Sequence, residues 1–225
     1  MSHEHHDLFE NRRQFQVERL ILFSDAVFAI AITLLVIEIR VPVIEHSANT
    51  TKDLLRALLQ MIPEFFGFLL SFAVIGQFWT NHHRLFGFVN NYNNGLLWLN
   101  LHMLFWIVLV PFTSGLNSQH GDLNIVWQIY SFNLFMIGLS LYFLYRYIGN
   151  PKHKLSDLAE NPINKKYSLY RSLSSSLIFL VGALIACFNG VIIFWTARLI
   201  FFLIPVAIGI INRRHRKALK AMEKK

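Results

Sequence analysis

FSDAVFAIAITLLVIEI, residues 23–39, decides how the rest of the chain is read. From Ala26 to Ile37 it holds no charge and one hydroxyl, Thr33. A helix needs about 20 apolar residues to cross a bilayer, and this run supplies most of one. Ser24 and Asp25 stand near its start. A carboxylate at the bilayer centre costs roughly 2.5–3.5 kcal/mol on insertion scales. Asp25 therefore has to meet donors supplied by other helices.

The whole chain agrees with a membrane setting. Of 225 residues, 54% are hydrophobic and 15% charged, where a soluble domain has about 25% charged. Apolar runs predict an all-α integral membrane bundle of six spans, near 17–40, 57–81, 95–115, 124–147, 171–189 and 191–212. Pro63 and Glu64 early in the second run predict an interfacial or tilted start. The fifth and sixth are joined through Phe188, Asn189 and Gly190, which reads as a tight turn. The chain reads as one domain, because the longest break, residues 149–166, is too short for another.

Seventeen of the 21 Lys and Arg fall on one side of these spans, in the N-terminal segment, two loops and the tail 213–225. Arg40, Lys52 and Arg56 fall on the other, and Arg198 lies within the sixth span. That bias places both termini in the cytoplasm. The net charge of +8 is thus chiefly topological and no sign of nucleic-acid binding. The tail RRHRKALKAMEKK also suits anionic lipid headgroups. The polar start, with His3, His5 and His6, reads as a tail without fixed structure and is no signal peptide. Cys187 reads as a small filler within a span.

Depth brings the polar residues together. Asp25 lies about seven residues, or roughly 10 Å, into the first helix. The second span ends in Trp79, His82, His83 and Arg84, and the third opens with Trp98, Asn100 and His102. All share one leaflet, so a polar knot of the first three helices is expected around Asp25. On a wheel of about 100° per residue, Thr33, Ile37, Ile30 and Leu34 fall about 80°, 120°, 140° and 180° from Asp25. They form one face, and Asp25 points away from it. Read alone, this face is ordinary packing surface, and Thr33 bonds back to a carbonyl one turn before.

Arg19, Phe23, Ser24 and Asp25 form the pattern R-x-x-x-F-S-D. With six spans, the Trp79 to His83 segment, Leu99-Asn100 and Pro111-Phe112, residues 12–213 resemble the transmembrane protein 175 family of potassium channels, in its bacterial single-repeat branch. The resemblance implies a homotetramer in the bacterial plasma membrane, with the first helix of each subunit lining a pore that lacks a re-entrant filter loop. It further implies constricting rings at Ile30, Leu34 and Ile37 and a selectivity layer at Thr33, with potassium the permeant ion and no cofactor. Arg19, Phe23, Ser24 and Asp25 would hold the pore helix in orientation. No T-V-G-Y-G string occurs in the chain.

Three rivals are weighed. Asp25, His82, His83 and His102 could relay protons in a proton channel or proton-coupled carrier. A metalloenzyme reading fails on spacing, because adjacent His82 and His83 project about 100° apart and no H-E-x-x-H occurs. A non-conducting scaffold differs from a channel only in flux. Glu64 and Arg198 stand at similar depth as a possible pair. Glu38 and Arg40 read as a solvated helix end.

Overall fold

A computed structural model describes residues 2–43, 51–159, 162–188 and 190–222. The helices are α1 (Ser2–Ile37), α2 (Thr51–Gln60), α3 (Ile62–Phe86), α4 (Asn94–Val108), α5 (Val110–Gln119), α6 (Asn124–Ile148), α7 (Pro162–Ile185), α8 (Val191–Leu199) and α9 (Leu203–Met222). Six stretches are long and apolar enough to span a membrane: Arg13–Ile37, Ile62–Phe86, Asn94–Gln119, Asn124–Ile148, Pro162–Ile185 and Val191–Ala221. Loops that include residues 87–93 and 149–159 lie at the end of the bundle that carries the C-terminus. The opposite, far end carries residues 38–43 and 120–123.

Two spans are broken, each beside a proline. Pro111 has no N–H and its ring clashes with the preceding turn, so the third span divides into α4 and α5 at Leu109. Residues Ile200–Phe202 form a 3-10 turn between α8 and α9, just ahead of Pro205. The second span starts at Ile62, not near 57, because the chain leaves α2 through Met61 and Pro63 takes the first turn of α3. Pro162 likewise opens α7 well before residue 171. The His-rich start is not a tail without structure: α1 already begins at Ser2, in a segment free of Pro and Gly. The side chains of His3, His5 and His6, and the turn residue Asn189, lie outside the described residues.

α6 is the hub, packing on α3, α4 and α5 on one side and on α7 on the other. α1 packs against α3, α4 and α5, and α7 carries α8 and α9. The core runs through Phe28, Ile75, Met103, Ile107, Leu134, Ile137 and Phe179, all nearly inaccessible. α6 and α7 approach closely because small residues meet, as lipid-embedded helices require. Ser172 donates to the Gly138 carbonyl at 2.9 Å and Ser176 to that of Phe135 at 3.0 Å.

The C-terminal end of the bundle is closed by the loop after α6. Leu155 and Leu158 are buried, the Asn90 amide donates to the Leu155 carbonyl at 2.8 Å, and Asn90 Nδ2 donates to Asp157 at 2.6 Å. Asn93 caps α4 by accepting from the Leu96 amide at 2.9 Å. α2 instead has no buried residue, and Leu54, Leu55, Leu58 and Leu59 are exposed.

A β-carbon on Gly138 would lie 2.9 Å from Ser176 Cβ and 3.1 Å from its Cα. Gly138→Leu should therefore force α6 and α7 apart, at about 1–3 kcal/mol. A lowered unfolding midpoint of the detergent-solubilised protein is expected; an unchanged midpoint would mean the helices are not this close.

Candidate pore helix and its polar network

α1 has two unlike faces. Val17, Leu20, Ser24, Phe28, Ala31 and Leu35 are buried against the neighbouring helices. On the opposite side Phe23, Ile30, Thr33, Leu34 and Ile37 are exposed within the subunit. Ile37 and Ile30 are 70% and 58% exposed, against 38% for Leu34, which lies toward the border. Thr33 donates its hydroxyl proton to the Ile30 carbonyl at 2.9 Å, one residue nearer than a full-turn back-bond. Its oxygen lone pairs stay free on the uncovered face and can face a cation.

The buried face is bound by a chain of hydrogen bonds. Ser24 donates to the Leu20 carbonyl at 2.8 Å and accepts from Asn100 Nδ2 at 2.9 Å. Asn100 Oδ1 is thereby turned toward His82 Nε2, 2.8 Å away, so that nitrogen carries the proton. The His82 ring stacks on Phe86, centroids 4.2 Å apart, and tilts against Phe28 at 5.4 Å. Ser24, His82 and Asn100 are each at most 1% exposed. One carboxamide thus links α1, α3 and α4.

Asp25 is served separately, at the border of the two faces, where its carboxylate accepts from Trp79 Nε1 at 2.9 Å. His83 lies over Trp79, with centroids 5.4 Å apart. The expected knot is therefore two adjacent braces: Ser24–Asn100–His82, and Asp25–Trp79 with His83 stacked outside.

Other expected members lie elsewhere. His102 projects away from Asn100, because two residues turn a helix by about 200°. Ser140 spends its proton on the Met136 carbonyl at 2.6 Å, so His102 Nδ1 donates to Ser140 at 2.9 Å while Nε2 accepts from Trp106 at 3.3 Å. Arg19 is exposed, its guanidinium 5.9 Å from the Phe15 ring centroid, and Phe23 is half exposed. Among the described residues neither makes a hydrogen bond, ion pair or ring contact to another helix. Trp98 is also exposed. Arg198 forms no pair with Glu64 and donates instead to the carbonyls of Phe194 and Gly121. Glu38 lies over Gly115 of α5, toward the bundle and away from the Ile30 face.

A second network in the far half of the bundle was not singled out in the sequence. Ser71 lies 2.7 Å from Ser114 and 3.0 Å from the Tyr130 hydroxyl, and Asn133 donates to Thr113 at 3.1 Å. The available signal was hydroxyls at matching depth in three spans, without the charge that drew attention to Asp25. Among the described residues no three His, Cys, Asp or Glu side chains are grouped to hold a metal ion.

Residues 19–111 match the family model described as the endosomal/lysosomal potassium channel TMEM175. A potassium channel of a Chryseobacterium species is 33% identical over 205 residues, 90% of this chain and 97% of that one. The chain belongs to the TMEM175 family. Among TMEM175 structures, that of a lysosomal potassium-selective channel homologue from Chamaesiphon minutus superposes with a TM-score of 0.70 at 27% identity. It covers 89% of this chain and 98% of that one. The mouse endosomal/lysosomal proton channel TMEM175 is 24% identical over 178 residues, 76% of this chain and 34% of its own length. With six long apolar helices and these relatives, this TMEM175 member is a multi-pass membrane protein.

Asn100→Leu would remove both side-chain links and strand the His82 Nε2 proton in the core, whereas Ser24→Ala removes one link and strands one Asn100 Nδ2 proton. Each stranded donor costs about 1–3 kcal/mol and each lost link a further ~1 kcal/mol. Thermal unfolding of the two variants should show the larger drop for Asn100→Leu. The reverse order would mean that Asn100 is not the shared link.

Proposed function

We propose that the chain forms a homotetrameric, potassium-selective cation channel in the bacterial plasma membrane, with α1 of each subunit lining the pore. The observation that carries this reading is the uncovered face of α1. It is uncharged from Ala26 to Ile37, and its one hydroxyl, on Thr33, has committed its proton to the backbone. Four such faces around an axis make aliphatic rings at Ile30, Leu34 and Ile37 that control wetting. The Thr33 layer replaces part of the hydration shell of a passing cation. The potassium preference rests on what the bacterial relatives are named.

In this reading the two braces set which side of α1 faces the axis, and Arg19 and Phe23 meet neighbouring subunits. Both termini are cytoplasmic, on the strength of the Lys and Arg bias, and the basic end of α9 lies against anionic headgroups. A proton-permeable channel is the second reading, supported by the name of the mouse relative. A relay through His82 or His102 would have to break the bonds that hold Asn100, Ser140 and Trp106, which leaves Asp25 and His83 as the accessible titratable groups.

Liposomes containing the purified protein test this reading. Potassium flux should exceed sodium flux. If wetting the first ring costs about 1.4 kcal/mol, Ile30→Asn should raise flux about tenfold; unchanged flux would remove Ile30 from the constriction. Thr33→Ala should lower the potassium-over-sodium ratio, and an intact ratio would take Thr33 out of the selectivity layer. Asp25→Asn should abolish proton flux only if the second reading holds.

A further inference from the structure

Two helices in this bundle face each other without meeting. α3 turns Pro63, Gly67, Leu70, Val74, Gln77 and Asn81 toward one side, at steps of three or four residues. Opposite, the sixth span turns Trp195, Arg198, Phe202, Pro205, Gly209 and Asn212 the same way. α3 makes no more than marginal contact with α8 or α9, and between the two stripes lies a cavity of about 940 Å³, floored by Trp127 of α6 and Phe179 of α7. From Pro63 to Asn81 is about 27 Å of helix, close to the roughly 30 Å of a bilayer's hydrocarbon core. An unfilled slot of that length would forfeit dispersion contacts along both walls.

The far end of the slot carries a charge. Arg198 Nη1 donates to the Phe194 carbonyl at 3.0 Å and Nη2 to the Gly121 carbonyl at 2.6 Å. The guanidinium lies 3.4 Å from the Phe194 ring centroid and 5.1 Å from that of Trp127. No carboxylate among the described residues bonds it. Two of its five N–H groups are spent, which leaves three donors and an uncompensated cation at the level of the loop before α6. A guanidinium in that state matches a phosphodiester, which it grips bidentately.

We propose that the groove between α3 and α9 holds a glycerophospholipid, one acyl chain lying between the two stripes and its phosphodiester on Arg198. The guanidinium favours a phospholipid over a neighbouring apolar helix, because a helix face laid over Arg198 would cover that cation without supplying an anion. The occupant backs α3 on the side opposite its Trp79 and His82 contacts to α1. The site is independent of ion selectivity and stands whether or not the protein conducts.

The test uses the full-length purified oligomer, delipidated and given a synthetic phosphatidylglycerol or the diacylglycerol with the same chains, with retention read by native mass spectrometry. The wild type should retain phosphatidylglycerol in preference to diacylglycerol. A β-carbon on Gly67 or Gly209 meets nothing within 4 Å, so the double variant Gly67→Leu, Gly209→Leu fills the slot without a clash and should lose both lipids. Arg198→Gln should keep the chain and lose the preference for the phosphodiester. Equal retention by the double variant would mean adventitious lipid only and would overturn the site, as would a cysteine cross-link from Gly209→Cys to a neighbouring subunit. Should the double variant misfold, a phosphatidylglycerol with brominated chains serves the unmodified groove. It should quench the emission that Trp127→Phe removes, because Trp127 is buried from bulk lipid; no quenching overturns the proposal.

Discussion

A hydroxyl and a carboxylate side by side on an apolar spanning helix have no water to fall back on. Their partners therefore fix how that helix is turned. Ser24 is reached by Asn100, and Asn100 is held in turn by His82. Asp25 takes the Trp79 indole one step around the helix. Rotating α1 by a quarter turn would break its bonds to Asn100 and Trp79 at once. The same rotation decides which residues lie on the far side of α1. Phe28, Ala31 and Leu35 go inward because Ser24 does, and Ile30, Thr33 and Ile37 are left uncovered.

The rest of the bundle supplies a frame for that helix. α3, α4 and α5 hold α1, and α6 holds all three. Beyond α6 the contacts change character. α7 sits close through Ser172, Ser176 and Gly138, where hydroxyls bond carbonyls directly. Past α7, the sixth span is broken at Ile200–Phe202 and stands away from α3. Burial by protein thus falls from the centre of the subunit toward its sixth span, where the gap lies.

Polar groups divide the spans into two layers of different chemistry. In the half of the bundle bearing the C-terminus, rings and amides dominate: His82, Asn100, Trp79, and His102 with Trp106. In the far half hydroxyls dominate, with Ser71, Ser114 and Tyr130 closing on one another. Among the described residues only the first layer touches α1 by side-chain hydrogen bonds, so turning of the candidate pore helix is resisted at Ser24 and Asp25. Its far end is held by apolar packing and by Glu38 over Gly115.

Six spans, the basic bias and the two faces of α1 were legible in the sequence, because each rests on composition or on the fixed turn of a helix. The partners of Ser24 and Asp25 were legible only as a set of groups at one depth. Which of them met was decided by rotation of α3 and α4, and no local pattern encodes that. His102 shows the limit: it shares a leaflet with Asp25 and stands two residues from Asn100, yet it faces Ser140. Pro111 and Pro205 stand beside breaks for a local reason, the missing N–H, but where the broken halves lie is set by packing. The gap between α3 and α9 had no signal at all, since nothing in either stripe differs from a surface that meets another helix. Periodicity tells which side of a helix is apolar; only the packed tertiary structure decides whether another helix comes to meet it.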